Sequence, residues 1–273
     1  MPRARELAKS YARHTGDILA ALGRYALAGS GSGLANGGRA LAALATDIVD
    51  QVSGPPPGVS CPLCGWSGRR FGPMYYFDHY REDARCYGCG TTDRSRAFKA
   101  FVDLELATEL SGGQKRVLDI GPVPGSRNIF PADVQYISFD LYAPIAMVKG
   151  DITAMPFAGA FADLWLCSHV LDVVPDDGAA MRELFRVLAP GGVGILDNVM
   201  DWDKPTEEYG EARRGECGHL RRYGSDLPDK LRAVGFEVRL VEVSEVLPPE
   251  LRRRHGIGGR RLVVVRRPRR VPA

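Results

Sequence analysis

Cys61-Pro-Leu-Cys64 and Cys86-Tyr-Gly-Cys89 are two CxxC pairs with 21 residues between them. No other feature of this chain restricts its local fold so tightly. Each pair is followed by a glycine, Gly65 and Gly90, which suits two tight turns around one tetrahedral site. Four thiolates at this spacing point to Zn2+ bound by Cys61, Cys64, Cys86 and Cys89. Such a site is structural, with no coordination position left for water. Redox pairs or two local disulfides are the alternatives, and the compartment argues against them. The apolar run Ile18–Leu22 is too short for a signal peptide and Arg24 follows it. No run approaches the roughly 20 apolar residues of a membrane span. The expected location is cytoplasmic.

The stretch between the pairs holds Phe71, Tyr75, Tyr76, Phe77 and Tyr80 with Arg70, Arg81 and Arg85. A metal ribbon has little core of its own, so its aromatics usually cover its small apolar face. The competing reading is a platform for RNA bases. His79 is a spare ligand that a complete thiolate set does not need. Charge argues against nucleic acid as the partner. Nine arginines and no acid follow Leu251, and without them the chain has 27 basic and 33 acidic residues. A nucleic-acid binder should carry its basic charge across a face of the folded body.

Periodicity divides the rest. Residues 1–55 form a helical extension, with helices over Arg5–Leu27 and Arg39–Val52 and a flexible linker at Gly29–Gly38. The hairpin is expected to be loosely attached. Pro55-Pro56-Pro57 precedes the ribbon, residues 56–93. A linking helix follows within 94–113, its Phe98, Val102, Leu106 and Leu110 spaced by four along one side. Residues 114–266 alternate apolar strands with helices or turns, and 267–273 are a basic tail. Expected strands are Arg116–Ile120, Tyr136–Phe139, Ala146–Val148, Leu164–Cys167, Val193–Leu196, Phe236–Val243 and Leu262–Val265. Helices are expected over Asp177–Leu188, with Arg182, Glu183 and Arg186 facing away from the core, and over Ser225–Val234 with Ser225 as N-cap. This alternation predicts an α/β fold with a doubly wound sheet, which binds ligands at the carboxyl ends of its strands.

Three of those strand ends carry ligand-type residues. Asp119-Ile120-Gly121-Pro122-Val123-Pro124-Gly125 is a strand running into a Gly/Pro turn that lets backbone approach a ligand. Asp140 ends the next strand, where a carboxylate can accept bonds from two ribose hydroxyls. Gly150-Asp151-Ile152 pairs an acid with an aliphatic residue, suited to adenine. The glycines do not follow the GxGxxG pattern of a dehydrogenase.

From these motifs onward the chain resembles the class I S-adenosylmethionine-dependent methyltransferases of the type 11 kind. Leu166-Cys167-Ser168-His169-Val170-Leu171-Asp172 with Pro175-Asp176-Asp177 is similar to that family's segment after its fourth strand. Met181–Gly192 is similar to the following helix and turn. The resemblance covers about residues 114–243. It implies a Rossmann-like sheet and S-adenosylmethionine as cofactor. Asp119, Gly121, Gly125 and Ser168 would line the site, with Asp140 on the ribose and Asp151 and Ile152 on adenine. Val123 stands where the family has its middle glycine, and only about ten residues lead from Gly125 to the second strand. With the ribbon and the segment His219–Leu227, the chain resembles bacterial methyltransferases that carry a zinc ribbon ahead of the catalytic domain.

That resemblance implies O- or N-methylation of a small molecule or of a glycan or natural-product intermediate. A zinc-ribbon RNA methyltransferase and a catalytically silent scaffold are the alternative readings. Methyl transfer is an in-line displacement, so alignment supplies much of the rate. A hydroxyl acceptor also needs a base. His169 stands after the fourth strand, an imidazole is the usual base near neutrality, and Asp172 can orient it. His219, Arg221 and Tyr223 are expected to hold an anionic or sugar-like substrate or to pin a loop by hydrogen bonds. Cys167 and Cys217 are read as inert. Neither the acceptor atom nor an oligomeric state follows from the sequence.

Overall fold

The structure, a computed structural model, describes residues 4–54, 58–76, 79–112, 114–213 and 218–269. It divides into two compact units. One comprises Met1–Ala107, Pro124–Phe130 and Ser244–Gly259; the other comprises Thr108–Val123, Pro131–Val243 and Arg260–Ala273. Among the described residues, no helix is long and apolar enough to cross a membrane.

The first unit begins with helices α1 (Ala4–Leu27) and α2 (Gly31–Ser53). The expected Gly/Ser linker is therefore mostly the opening turns of α2, capped by the Ser30 hydroxyl on the Gly33 amide. The reason is close packing. A methyl group at Gly33 would lie 2.5 Å from Cγ of Tyr25, and one at Gly37 would lie 2.3 Å from Cδ2 of Leu22. These glycines let the two helices touch, and that contact outweighs the roughly 1 kcal/mol helix penalty of each glycine. Gly33→Leu should lower stability by about 1–3 kcal/mol through overpacking. Gly38→Ala, at an exposed position with open space around it, should raise it by up to about 1 kcal/mol. Denaturant unfolding of both variants reads the opposite signs.

The hairpin is not loosely attached. Ser10 donates to the carbonyl of Tyr87, Gln51 donates to that of Ser67 at 2.8 Å, and Arg85 pairs with Asp17 at 3.2 Å. Tyr11 donates to Asp47, whose carboxyl burial pushes up to about 6. Two two-stranded ladders follow, β1 (Val59–Ser60) with β2 (Ser67–Gly68), and β3 (Gly72–Tyr76) with β4 (His79–Arg85). Helix α3 (Asp93–Glu105) is shorter than expected. Leu106 caps it, and α4 (Ala107–Leu110) is a separate turn. Phe98, Val102, Leu106 and Leu110 are all buried. Arg96 of α3 is buried completely, a position the spacing argument did not single out. It donates to the carbonyls of Asp83, Ala84, Thr91, His255 and Gly256 and lies 3.6 Å over the Phe71 ring. One guanidinium thus ties together five backbone acceptors from three segments of the unit.

The second unit is built on a seven-stranded sheet. Its strands are β5 (Arg116–Ile120), β6 (Gln135–Asp140), β7 (Val148–Lys149), β8 (Ala162–Ser168), β9 (Leu188–Asp197), β13 (Glu237–Glu242) and β14 (Arg261–Arg266). They lie in the order β13-β14-β9-β8-β5-β6-β7. Strands β5 to β9 are parallel neighbours, and β14 runs antiparallel to β9 and β13. The central strands are almost wholly buried, as expected where both faces are covered. Trp165 is the largest buried side chain of this core and faces Gly194, where a methyl group would lie 2.2 Å from the ring.

All seven expected strands are present; β5 has the expected bounds and the other six have shifted ends. Helix α5 (Asp177–Val187) stops one residue before the expected Leu188, because the chain turns into β9 there. Glu183 and Arg186 do not simply face away. They pair at 2.6 Å, Glu183 accepts the amide of Met155, and Arg186 donates to the carbonyls of Met155 and Phe157. Helix α6 (Leu227–Val234) begins at Asp226 rather than Ser225, and Gly235 ends it with left-handed backbone. Ser225 instead donates to the carbonyl of Lys204.

A second small sheet was not expected. Strands β10 (Met200–Asp201), β11 (Glu207–Arg213) and β12 (His219–Gly224) lie in the order β10-β12-β11. The helix Pro249–His255 of the first unit is also new. The tail is less free than its charge suggests. Arg266 pairs with Glu109, and Arg267 donates to the carbonyls of Phe185, Arg186 and Leu188.

Candidate cofactor edge, acceptor cluster and thiolate centre

Backbone bonds align one row of residues along the carboxyl edge of the seven-stranded sheet. The Gly121 amide donates to the carbonyl of Phe139 at 3.0 Å, and the Gly150 amide to that of Asp140 at 3.3 Å. On the other side Ser168 pairs in register with Asp197, and the His169 amide donates to the Asp197 carbonyl at 2.8 Å. The row therefore runs Asp151, Asp140, Gly121, Ser168, His169, Asp197. Connections leave β5 toward β6 on one side and β8 toward β9 on the other, so Gly121 and Ser168 flank the topological switch point. That is where doubly wound sheets bind ligands.

Gly121 has φ 74, and a methyl group there would lie 2.6 Å from Cγ2 of Val170 and 3.3 Å from the Ser168 carbonyl. Only glycine fits this turn without strain. Asp119, one strand residue earlier, is buried and accepts from the Tyr136 hydroxyl at 2.6 Å. Asp140 is oriented by two amides, Tyr142 and Ala143, each 2.6 Å from Oδ1. Asp151 caps a short 3-10 helix, Ile152–Ala154; the Thr153 amide and hydroxyl hold its carboxyl below the usual range. Ile152 beside it is buried. Only the 3-10 turn Ser126–Ile129 stands between β5 and β6, in keeping with the short segment after Gly125. Gly125 and that turn lie in the first unit, where Gly125 has φ 87 and is backed by Thr91.

The turn after β8 carries His169 and Asp172. His169 has φ 53, a left-handed conformation rare for a residue with a side chain. Its Nδ1 lies 3.3 Å from Oδ2 of Asp172, and its Nε2 lies 3.7 Å from Oδ2 of Asp197. Asp172 is completely buried while the His169 side chain is 28% exposed, so the pair opens outward through the histidine.

Strand β12 brings the distant residues here. Successive side chains of a strand alternate, so His219, Arg221 and Tyr223 share one face, and all three are buried. The ring of His219 lies 6.2 Å from that of His169. Arg221 donates to the carbonyls of Leu171, Val174 and Pro175 and pairs with Glu208 at 3.0 Å. The Tyr223 hydroxyl donates to Asp177 at 2.7 Å, and burial pushes its phenol above the usual range. Arg221 and Tyr223 thus pin the post-β8 turn to β12. Sequence reasoning missed Asp197, Asn198 and Arg260. Arg260 pairs with Asp197 at 3.0 Å, and Asp197 and Asn198 are buried polar residues just past the apolar run Val193–Leu196. Polar residues directly after an apolar strand were the available signal. Cys167 is fully buried and burial pushes its thiol up, which makes it a poor nucleophile. Cys217 and Phe77 lie outside the described residues, as do the side chains of Tyr75, Tyr76 and His79.

In the first unit the four cysteines converge. Sγ of Cys61 lies 3.8 Å from that of Cys89, and Sγ of Cys64 lies 3.7 Å from that of Cys86. A tetrahedral zinc with bonds of about 2.3 Å has sulfur–sulfur edges of about 3.8 Å. The donor set therefore fits that ion. The two turns match: the amide of Gly65 donates to the Cys61 carbonyl at 2.9 Å and that of Gly90 to the Cys86 carbonyl at 2.8 Å, with φ 74 and 76. The neighbouring thiols, Cys64 first, pull Cys61 down, and burial pushes Cys86 up. Trp66, Phe71 and Tyr87 are buried around the turns. Arg81 pairs with Asp93, and Arg85 with Asp17.

Comparison with known proteins bears on residues of both units, mostly of the second. Residues 87–196 match the family described as Methyltransferase domain. An uncharacterized methyltransferase of Mycobacterium sp. (strain KMS) is 34% identical over 129 residues, covering 42% of this chain and 50% of that protein. The arsenite methyltransferase of Aquipseudomonas alcaligenes is 25% identical over 186 residues, covering 62% and 54%. Among solved structures, the 1,6-didemethyltoxoflavin-N1-methyltransferase of Burkholderia thailandensis is 17% identical with a TM-score of 0.46, covering 64% of this chain and 78% of that one. The chain spans about half the length of the curated relatives it matches. By the family match, residues 87–196 are similar to a methyltransferase domain.

Proposed function

We propose that the whole chain transfers a methyl group from S-adenosylmethionine to oxygen or nitrogen of a small molecule, or of a glycan or natural-product intermediate. The observation that carries this is Gly121, in left-handed backbone at the switch point with no room for a side chain. A side chain there would strike Val170, so glycine alone lets the turn close tightly over the strand ends where doubly wound sheets bind ligands. When bound, S-adenosylmethionine supplies the electrophilic methyl group. Asp140, already oriented by two amides, accepts its ribose hydroxyls. Asp151 and Ile152 take the adenine, with Ser168 completing the site. His169 takes the proton of a hydroxyl acceptor and Asp172 orients the imidazole. His219 faces the same opening, while Arg221 and Tyr223 hold the turn beneath it. Five of the nine C-terminal arginines bond to partners within their own units, which supports a small acceptor over a phosphate backbone. In the first unit the four cysteines hold one structural zinc, whose thiolate bonds close the ribbon.

Calorimetry with S-adenosylmethionine tests the cofactor site. Asp140→Ala should weaken binding about 10–100-fold, the equivalent of about 1.5–3 kcal/mol for bonds to a charged group. Its circular dichroism should be unchanged. Absence of binding by the unaltered protein overturns the reading.

A further inference from the structure

Four consecutive parts of the acceptor edge hold buried polar atoms without a partner among the described residues. They are Oγ of Ser168, Oδ1 of Asp172, both amide atoms of Asn198 and Nδ1 of His219. A buried polar atom left unpaired costs about 1–3 kcal/mol, so these atoms take partners from water or from a ligand. Three residues there share a further property. One ligand atom each from His169, Asp172 and His219 lies within 4.8 Å of the other two. The 3.3 Å between Nδ1 of His169 and Oδ2 of Asp172 equals the edge of about 3.3 Å that a tetrahedral cation with bonds of about 2.0–2.1 Å spans between neighbouring ligands.

We infer that His169, Asp172 and His219 form a binding site for a divalent transition-metal cation, separate from the thiolate centre. Two imidazoles and one carboxylate suit zinc or iron(II), whereas calcium and magnesium prefer all-oxygen sets. Burial argues the same way. Asp172 is completely enclosed and His219 nearly so, and a cation removes the penalty of holding a carboxylate there. The surroundings hold the ligands in place. The Val199 amide donates to Oδ2 of Asp172 at 3.3 Å, and Arg221 fastens the turn that carries both His169 and Asp172. Arg260 pairs with Asp197, and Arg221 with Glu208. Three protein ligands leave a coordination position open, as catalytic sites do and four-thiolate sites do not. The His169 side chain is 28% exposed, so the cluster reaches solvent through this residue. An oxygen of the methyl acceptor is the ligand the open position would take.

The role toward the acceptor rests on the methyl-transfer reading; the cation site does not. With Nδ1 on the cation the His169 ring is a ligand and not a base, so in the loaded protein the cation acidifies a hydroxyl acceptor in its place. His219→Ala removes a ligand and leaves His169 free to act as base. Protein prepared without chelator is titrated with Zn2+ by calorimetry, and its metal content is measured. The unaltered protein should take up about one equivalent beyond the zinc of the ribbon. His219→Ala and His169→Ala should each lose that equivalent, or bind it at least about 100-fold more weakly, more than the loss of an outer-shell partner costs. Both should keep the ribbon zinc. Absence of the extra equivalent in the unaltered protein overturns the site, and so does its survival in His219→Ala. S-adenosylmethionine binding is measured on the same samples. Loss of that binding alone defeats the methyl-transfer reading and leaves the cation site standing.

Discussion

Replacing His169 by alanine should lower turnover of a hydroxyl acceptor by about 10²–10⁴-fold, the range that a positioned acid–base group contributes. Affinity for S-adenosylmethionine should barely move, because Gly121, Asp140 and Asp151 remain. The backbone at His169 complicates the experiment. Its φ of 53 is left-handed, a conformation that costs an ordinary residue about 1–2 kcal/mol. Asparagine tolerates it better than most residues. His169→Asn therefore preserves the turn while removing the imidazole, and it should be as inactive as His169→Ala. Single-turnover methylation with each variant reads the effect. If His169→Asn kept near-normal turnover, the histidine would be reduced to holding the turn.

Cys86→Ser should abolish zinc binding by the ribbon and unfold it. Structural zinc contributes about 10–16 kcal/mol in small isolated modules, far more than a domain of this size can replace by packing. The effect should stay local. Hydrogen exchange should show lost protection in β1 to β4, while β5 and β8, enclosed in the core of the other unit, stay protected. The unaltered protein should carry about one zinc per chain in the ribbon. A preparation free of zinc, or one with disulfides in reducing buffer, would count against the thiolate centre.

Much of the fold was legible. The seven sheet strands were readable because each is a short apolar run bounded by turn residues, and such runs are local signals. Strand β12 was missed for the opposite reason. Its inward face is His219, Arg221 and Tyr223, so the hydropathy alternation that announces a half-buried strand is inverted. The Gly29–Gly38 segment was misread because composition reports backbone freedom, whereas Tyr25 and Leu22 require absent side chains at Gly33 and Gly37. Glu183 and Arg186 were placed outward by helical period, which does not register that the segment 155–157 lies over that face.

By itself the sequence determined what depends on spacing along the chain: the four thiolates, the glycine at the end of β5, the acids at the ends of β6 and after β7, and the strand–helix alternation. Each is set by covalent neighbours and backbone geometry over a few residues. The tertiary structure alone decided which distant groups meet. His219 reaches His169 only because β12 pairs with β10 and β11 and because Arg221 binds three carbonyls of the post-β8 turn. Arg96 gathers five carbonyls from three segments for the same kind of reason. Such convergence follows from burying polar groups with their partners, a requirement that acts through space and leaves no periodic trace in the chain.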